Sequence, residues 1–353
     1  MAHWHGDHVS YLNVFDENSN LEQFVNQYLV PDPNFVANCN PFLDRLIGFI
    51  QKHTPDSMKP ARVFRGGSIG KGTELKDETK IDLIFYVSGR HRLQAVADQM
   101  EELLTVLEQY LQHYRECRFV RKTKLSVHVD LFCHGDHEHR VEIRPVYDVL
   151  HTQSKREIYE DMTKSDTLRQ FYSTCLVKLQ QTFVKEQPER VRNLIRLVKY
   201  WRKSKLPADE GKNKWPDSYL LELITIRRWE EAGKPATFDL RRGLYSVLHA
   251  LVEYRDLKIQ WFDNYDKIFM KQIRERNPSI HVPENFKTPR SESRIVPTTR
   301  QHKYPGYYVI DPANPFSNVT STCELWHKVA EVASESLQMP LFGGLGRSGL
   351  NNW

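Results

Sequence analysis

The sequence predicts an α+β protein in which a mixed-sheet lobe is followed by a helical lobe. Three observations predict it. Short apolar runs with strand periodicity cluster before residue 150, helical patterns follow one another from about residue 155, and no internal repeat interrupts that order. A chain of 353 residues with 40% hydrophobic content can build one large domain or two packed lobes around a sizeable core. The expected division is a sheet lobe with N-terminal helices over 1–155, a helical lobe over 156–345 and a tail over 346–353.

Leu21 to Leu29 reads as a short amphipathic helix, capped by Ser19 or Asn20 and stopped by Pro31-Asp32-Pro33. Phe42, Leu46 and Ile50, with Leu43 and Ile47, set an apolar stripe at helical spacing. Arg62 to Phe64 is a short strand that feeds a glycine-rich turn. Ile81 to Val87 is nearly continuous in apolar character, as a buried strand is. Arg92 to Tyr114 carries one long helical pattern rich in Leu, Glu and Gln. Leu125, Val127, Val129 and Leu131 alternate with polar residues, and a polar turn leads to a second strand, Val141 to Val149, so the pair reads as a hairpin.

Helices are expected over 166–185, 188–204, 216–232 and 238–254, the second opened by Pro188 at a first-turn position. Residues 287–304 are polar and unpatterned, a surface loop. Tyr307 to Ile310 is a strand that Asp311-Pro312 breaks, and Thr322 to Leu337 is a last helix.

Composition excludes several classes. The five cysteines, Cys39, Cys117, Cys133, Cys175 and Cys323, are odd in number and form no CxxC pair, which fits a reduced, cytoplasmic setting rather than a disulfide scaffold. No apolar run reaches the roughly 18 residues of a membrane span, and Met1-Ala2-His3-Trp4-His5 does not open a signal peptide. No membrane partner is expected. The net charge of +5 is a weak pointer to a polyanion. The turn Cys133-His134-Gly135-Asp136-His137-Glu138-His139 holds zinc-ligand residue types, but its spacing suits no standard tetrahedral site and reads better as a polar hairpin tip. His3, His5 and His8 read as an accidental cluster.

The chemistry concentrates between Gly66 and Asp82. Glycines let backbone N–H groups approach phosphate oxygens closely, and in Gly66-Gly67-Ser68-Ile69-Gly70-Lys71-Gly72-Thr73 a hydroxyl and an ammonium are added. Taken alone this is equally a tight surface turn. Phosphoryl transfer to a hydroxyl usually uses two divalent ions held by carboxylates, and a D-x-D pair on a strand aims two carboxylates at one site. Here the pair position reads Lys80-Ile81-Asp82, with Glu142 on the neighbouring strand as the further acid. Asp77 and Glu78 are nearby in sequence only, and Glu78, about 13 Å from Asp82 along an extended strand, is too far to replace the missing acid.

At this point the sequence resembles the 2′-5′-oligoadenylate synthase family, within the wider class that includes cyclic GMP-AMP synthase. The resemblance rests on the glycine turn, on Leu29-Val30-Pro31-Asp32-Pro33, Phe171-Tyr172-Ser173-Thr174-Cys175, Leu194-Ile195-Arg196-Leu197-Val198-Lys199-Tyr200-Trp201, Tyr219-Leu220-Leu221-Glu222-Leu223 and Asp311-Pro312-Ala313-Asn314-Pro315. It implies a polymerase-β-like nucleotidyltransferase fold and the joining of ATP into 2′-5′-linked oligoadenylates with Mg2+ or Mn2+. It also implies activation by double-stranded RNA in antiviral innate immunity.

Carried over, the resemblance makes Gly67 and Ser68 contacts of the donor phosphates and places Lys71 near the acceptor. It makes Asp82 and Glu142 catalytic metal ligands and sends Lys199 to the nucleotide. Ser218, beside Tyr219, stands where many members carry Gln for the donor base. Lys80 stands at the first metal-binding Asp. Lys52, Arg65, Lys185 and Arg190 align with RNA-contacting positions, whereas Gln181 and Glu189 depart from them. Duplex RNA is read through phosphates and 2′-hydroxyls.

Three functions follow as expectations for a monomer: an RNA-activated synthase, an RNA-binding pseudoenzyme of the same family, or a cyclic-dinucleotide-forming receptor. Family membership favours the first and Lys80 the second. Ser218 and Glu142 keep the third open.

Overall fold

The four strand segments expected in the first lobe join with a fifth, Cys117–Lys122, that the sequence reading did not expect, into one mixed sheet in the order Pro60–Arg65, Lys80–Val87, Glu138–Val146, Val127–Phe132, Cys117–Lys122. The computed structural model describes residues 15, 20–55, 59–76, 80–87, 93–133, 138–207, 214–276, 306–346 and 353. The strands are β1 (Pro60–Arg65), β2 (Lys80–Val87), β3 (Cys117–Lys122), β4 (Val127–Phe132) and β5 (Glu138–Val146). β4 and β5 form the expected hairpin, with Val127 opposite Ile143 and Val129 opposite Val141. β5 also pairs with β2 in parallel, which sets Asp82 directly opposite Glu142.

Parallel pairing needs a crossover, and the chain between Val87 and β5 provides it. Ile81, Leu83 and Ile84 are almost fully buried, as the continuous apolar run requires. The helix Met100–Gln112 lays Leu103, Leu104, Leu107 and Leu111 against the sheet at i, i+1, i+4 and i+8.

A second core gathers Val191, Leu194, Val198 and Trp201 of the helix Glu189–Lys205, Leu220 to Leu223 of Ser218–Glu231, and Leu244 to Leu251 of Leu240–Val252. Leu21, Phe24, Val25 and Leu29 pack into this core, while Ile158, Tyr159, Met162, Tyr172 and Cys175 pack into the sheet core. The sheet neighbours and helix-rich remainder match the expected α+β class.

Several boundaries differ from the sequence reading. The long pattern from Arg92 to Tyr114 divides at Gln99 into Leu93–Asp98 and Met100–Gln112, because the first piece packs on the helix Asp166–Cys175 and the second on the sheet. The pattern 166–185 bends at Leu176, where the chain passes from one core to the other: Cys175 and Leu176 lie in the sheet core and Val184 in the helical core. β5 stops at Val146, and Val149–Thr152 is a short helix. Pro188 is the cap before Glu189–Lys205, with extended ψ, rather than its first turn.

Asn20 is the cap of the first helix, its side chain accepting from Gln23 N–H at 3.1 Å, and Val25–Leu29 continues as a π-turn. The last helix begins at Trp326, after a 3-10 turn at Val319–Thr322. Tyr308–Val309 pairs in parallel with Lys258–Ile259, a two-residue strand too short to show periodicity. The 287–304 loop, Asp77 and Glu78, the His3, His5 and His8 cluster, and the turn residues 134–137 lie outside the described residues. Among the described residues no helix is long and apolar enough to cross a membrane.

Candidate active site

The β2–β5 pairing builds the first half of the site. Alternate residues on a strand share a face, so Lys80 and Asp82 on β2 stand beside Glu142 and Arg144 on β5. The glycine turn is fastened over them. Gly66 N–H donates to the Asp82 carbonyl at 2.8 Å. Gly67 has φ +62°, and a Cβ there would stand 2.3 Å from Asp82 Oδ2. Only glycine allows both the left-handed backbone and this approach, so the turn rests on the Asp82 carboxylate.

Lys80 determines what these acids do. Its Nζ lies 3.0 Å from Glu142 Oε2 and 3.5 Å from Asp82 Oδ1. Arg144 holds the other oxygen, Glu142 Oε1, at 2.5 Å. Both oxygens of Glu142 are therefore committed to protein cations. Burial pushes the Glu142 carboxyl upward, but the Arg144 and Lys80 charges overcome it and bring the pKa down to about 2. For Lys80, burial pulls the ammonium down and the Asp82 and Glu142 carboxylates outweigh it, so its pKa is raised. His128, opposite Glu142 on β4, is lowered by burial against the opposing pull of Glu142. Asp82 Oδ1 is buried without a hydrogen-bond partner.

These residues do not fit a divalent cation. A charged ammonium offers no lone pair. At about 4 Å it would repel a doubly charged ion by roughly 8 kcal/mol at an effective dielectric of 20. Among the described residues no group of three His, Cys, Asp or Glu could hold a metal.

The depressed Glu142 pKa has a testable sign. The ionised form is favoured in the fold, so this contribution to stability is complete above the ordinary glutamate value of 4.5 and lost as pH falls toward about 2. Acid unfolding of Glu142→Gln should show a shallower loss of stability between those values than the natural chain. Identical acid limbs would remove the Lys80–Glu142–Arg144 pairing as a source of stability.

The second half of the site joins the turn to the helical lobe. Glu222, on Ser218–Glu231, is 1% exposed. It accepts from Lys71 Nζ at 2.8 Å and from Thr73 Oγ1 at 2.8 Å, and pairs with Lys199 Nζ at 3.0 Å. Burial pushes its carboxyl upward, but the Lys71 and Lys199 charges prevail and bring it down to about 2. Lys199 also donates to the Thr73 carbonyl at 3.0 Å. Lys71 sits 4.2 Å over the Tyr219 ring, whose hydroxyl donates to Asp311 at 3.0 Å. Arg196 clasps the end of the turn, donating to the Glu74 and Gly72 carbonyls at 3.0 and 2.8 Å.

Of the residues expected from the sequence, Gly67, Asp82 and Glu142 meet around Lys80, and Lys71, Tyr219 and Lys199 meet around Glu222. Ser68 lies in the short helix Gly67–Lys71, into which the middle of the expected turn winds. Ser218 is exposed at the start of its helix, beside the Asp217 cap. Lys52 and Lys185 are exposed near helix ends. Arg65 bonds Asn40 and Asp44, and Arg190 bonds Glu22 and the Phe238 carbonyl. Gln181 is buried and donates to Gly70 O at 2.7 Å, fixing the turn from below.

Sequence reasoning missed two positions that the structure brings to this candidate site. Arg144 was readable as the residue two after Glu142 on the same strand face. Glu222 was readable as a lone acid inside the apolar run Leu220 to Ile226.

With this geometry in place, comparison with known proteins is direct. A family model described as 2'-5'-oligoadenylate synthetase 1, domain 2, C-terminus matches residues 152–286. The 2'-5'-oligoadenylate synthase 1A of Mus musculus is 26% identical over 358 residues, covering 94% of this chain and 91% of that protein. The 2'-5'-oligoadenylate synthase 3 of Mus musculus is 28% identical over 287 residues, but the chain spans only 25% of its length. A solved complex of E. coli MS115-1 CdnC with HORMA-deltaN shares the fold at a TM-score of 0.50 and 18% identity, over 90% of this chain and 87% of that one. The chain is similar to the 2′-5′-oligoadenylate synthases over most of its length and has a nucleotidyltransferase fold.

Proposed function

We propose that this chain is a non-catalysing 2′-5′-oligoadenylate-synthase-like protein that binds a nucleotide in the cleft and duplex RNA on its basic surface without joining nucleotides. One observation carries the reading: the Lys80 ammonium lies within 3.5 Å of both acids that would coordinate metal. The cleft's other parts favour retained binding. Glu222 has two ammonium partners where one would neutralise it, so Lys71, 11% exposed, can swing to a phosphate while Lys199, 4% exposed, keeps Glu222 paired.

Incubation with ATP or GTP, Mg2+ or Mn2+, with and without duplex RNA, is expected to yield no product. Robust synthesis under any of these conditions overturns the reading. The linkage of that product, linear 2′-5′ or cyclic, then identifies which active relative the chain follows.

The RNA part makes a separate prediction. Lys52 and Lys185 are exposed, whereas Arg65 and Arg190 are already anchored to acids and carbonyls. Replacing Lys52 and Lys185 with Ala should weaken duplex RNA binding uniformly across sequences. It should also flatten the slope of log affinity against log salt by about 0.9 per lost phosphate contact, the value for duplex DNA. Unchanged affinity and slope would take this surface out of the proposal.

A further inference from the structure

We infer that the cleft accepts the phosphate tail of a nucleoside triphosphate without a divalent cation, Lys80 and Arg144 supplying the positive charge from the protein itself. The inference rests on the binding role proposed above and extends it to the charge state of the ligand.

Two carboxylates, Asp82 and Glu142, face one ammonium and one guanidinium within 3.5 Å, so the four charges cancel in pairs. A carboxylate at position 80 would leave the same group with a net negative charge. A triphosphate could then approach only after cations had neutralised it. Lysine reverses the requirement: the rim beneath the glycine turn is neutral before any ion arrives. A metal-bound triphosphate gains nothing there, because the added ion meets the Lys80 ammonium.

Geometry places this charge under the turn. Asp82 touches both partners, its Oδ2 lying 2.3 Å from where a Gly67 Cβ would stand and its Oδ1 3.5 Å from Lys80 Nζ. That Oδ1 is buried and has no hydrogen bond. Lys80 is not locked away, since its side chain is 52% exposed. Its nitrogen can lean from Glu142, which keeps Arg144, toward a phosphate oxygen. Lys71 does the same on the other side of the turn, leaving Glu222 to Lys199. Each acid that loses a lysine thus keeps a cation, except Asp82, whose carboxylate stays beside the ammonium that bridges it to the ligand.

The test is calorimetric titration of the natural chain with ATP and with inorganic tripolyphosphate, each in EDTA and in excess Mg2+. Binding of both probes is expected in EDTA, with Mg2+ changing affinity by less than about threefold. Lys80→Met should weaken binding in EDTA by about tenfold or more, the size of one charge-assisted contact, and Lys80→Arg should restore it. Absence of binding in EDTA, or tightening by more than about threefold on adding Mg2+, overturns the inference. Should Lys80→Met fail to fold, the EDTA and Mg2+ comparison on the natural chain still decides. ATP that binds only with Mg2+ and gives no product sinks this inference and leaves the non-catalysing reading standing. Product formation sinks that reading and leaves the EDTA titration to judge this one.

Discussion

Replacing Glu222 with Gln is expected to destabilise the protein by about 3–5 kcal/mol, the cost of removing one partner from a buried charge cluster. The amide keeps the shape but strands Lys199, 4% exposed, without its counter-ion and weakens the hold on Lys71 and Thr73. A buried unpaired ammonium must either deprotonate or draw water into the interior, and both cost free energy. The partners lie 151 residues apart, so the variant should also loosen the glycine turn against the helical lobe. Chemical denaturation measures the first effect. Amide exchange at Gly70 to Thr73 measures the second. A loss below about 1 kcal/mol would show that the cluster behaves like a solvated surface pair.

Lys80→Asp is expected to raise Mn2+ affinity by at least about a hundredfold, or about 2.7 kcal/mol. The change removes the like charge and adds a hard oxygen ligand in one step. Arg144 would still hold Glu142 Oε1 at 2.5 Å. The double variant Lys80→Asp with Arg144→Leu should therefore bind more tightly by a further about tenfold, because Glu142 is freed to turn toward the ion. Electron paramagnetic resonance of bound Mn2+ reads both steps without reliance on turnover. Metal-dependent joining of ATP should follow metal binding. Mn2+ affinity unchanged by either variant would show that the acids are too far from coordinating geometry for charge alone to matter.

Much of the fold was legible from local pattern. The period-two alternation from Val127 to Leu131 and the apolar run from Ile81 to Val87 are direct consequences of which strand faces are buried. The glycine turn was equally legible, because a left-handed turn is a property of a few consecutive residues, whereas the facing of Asp82 and Glu142 needed the parallel pairing of β2 with β5. The breaks at Gln99 and Leu176 were not. Helical periodicity continues across both, and only the neighbours on either side make the chain turn. The two-residue strand Lys258–Ile259 was missed for a related reason, since two residues carry no period.

The sequence by itself determined that a glycine turn bearing Ser68 and Lys71 precedes a strand carrying Asp82, and that Lys80 stands where a D-x-D pair would have its first acid. Those facts lie in residue identity and in the alternation of the strand that holds Lys80 and Asp82. Only the tertiary structure decided that the Lys80 nitrogen reaches both acids, that Arg144 takes the remaining Glu142 oxygen, and that Glu222 draws Lys71 away from the turn. The physical reason is distance. Charges act through space, and the strand pairing and lobe packing that bring these groups within about 4 Å of each other join segments of the chain that no local pattern connects.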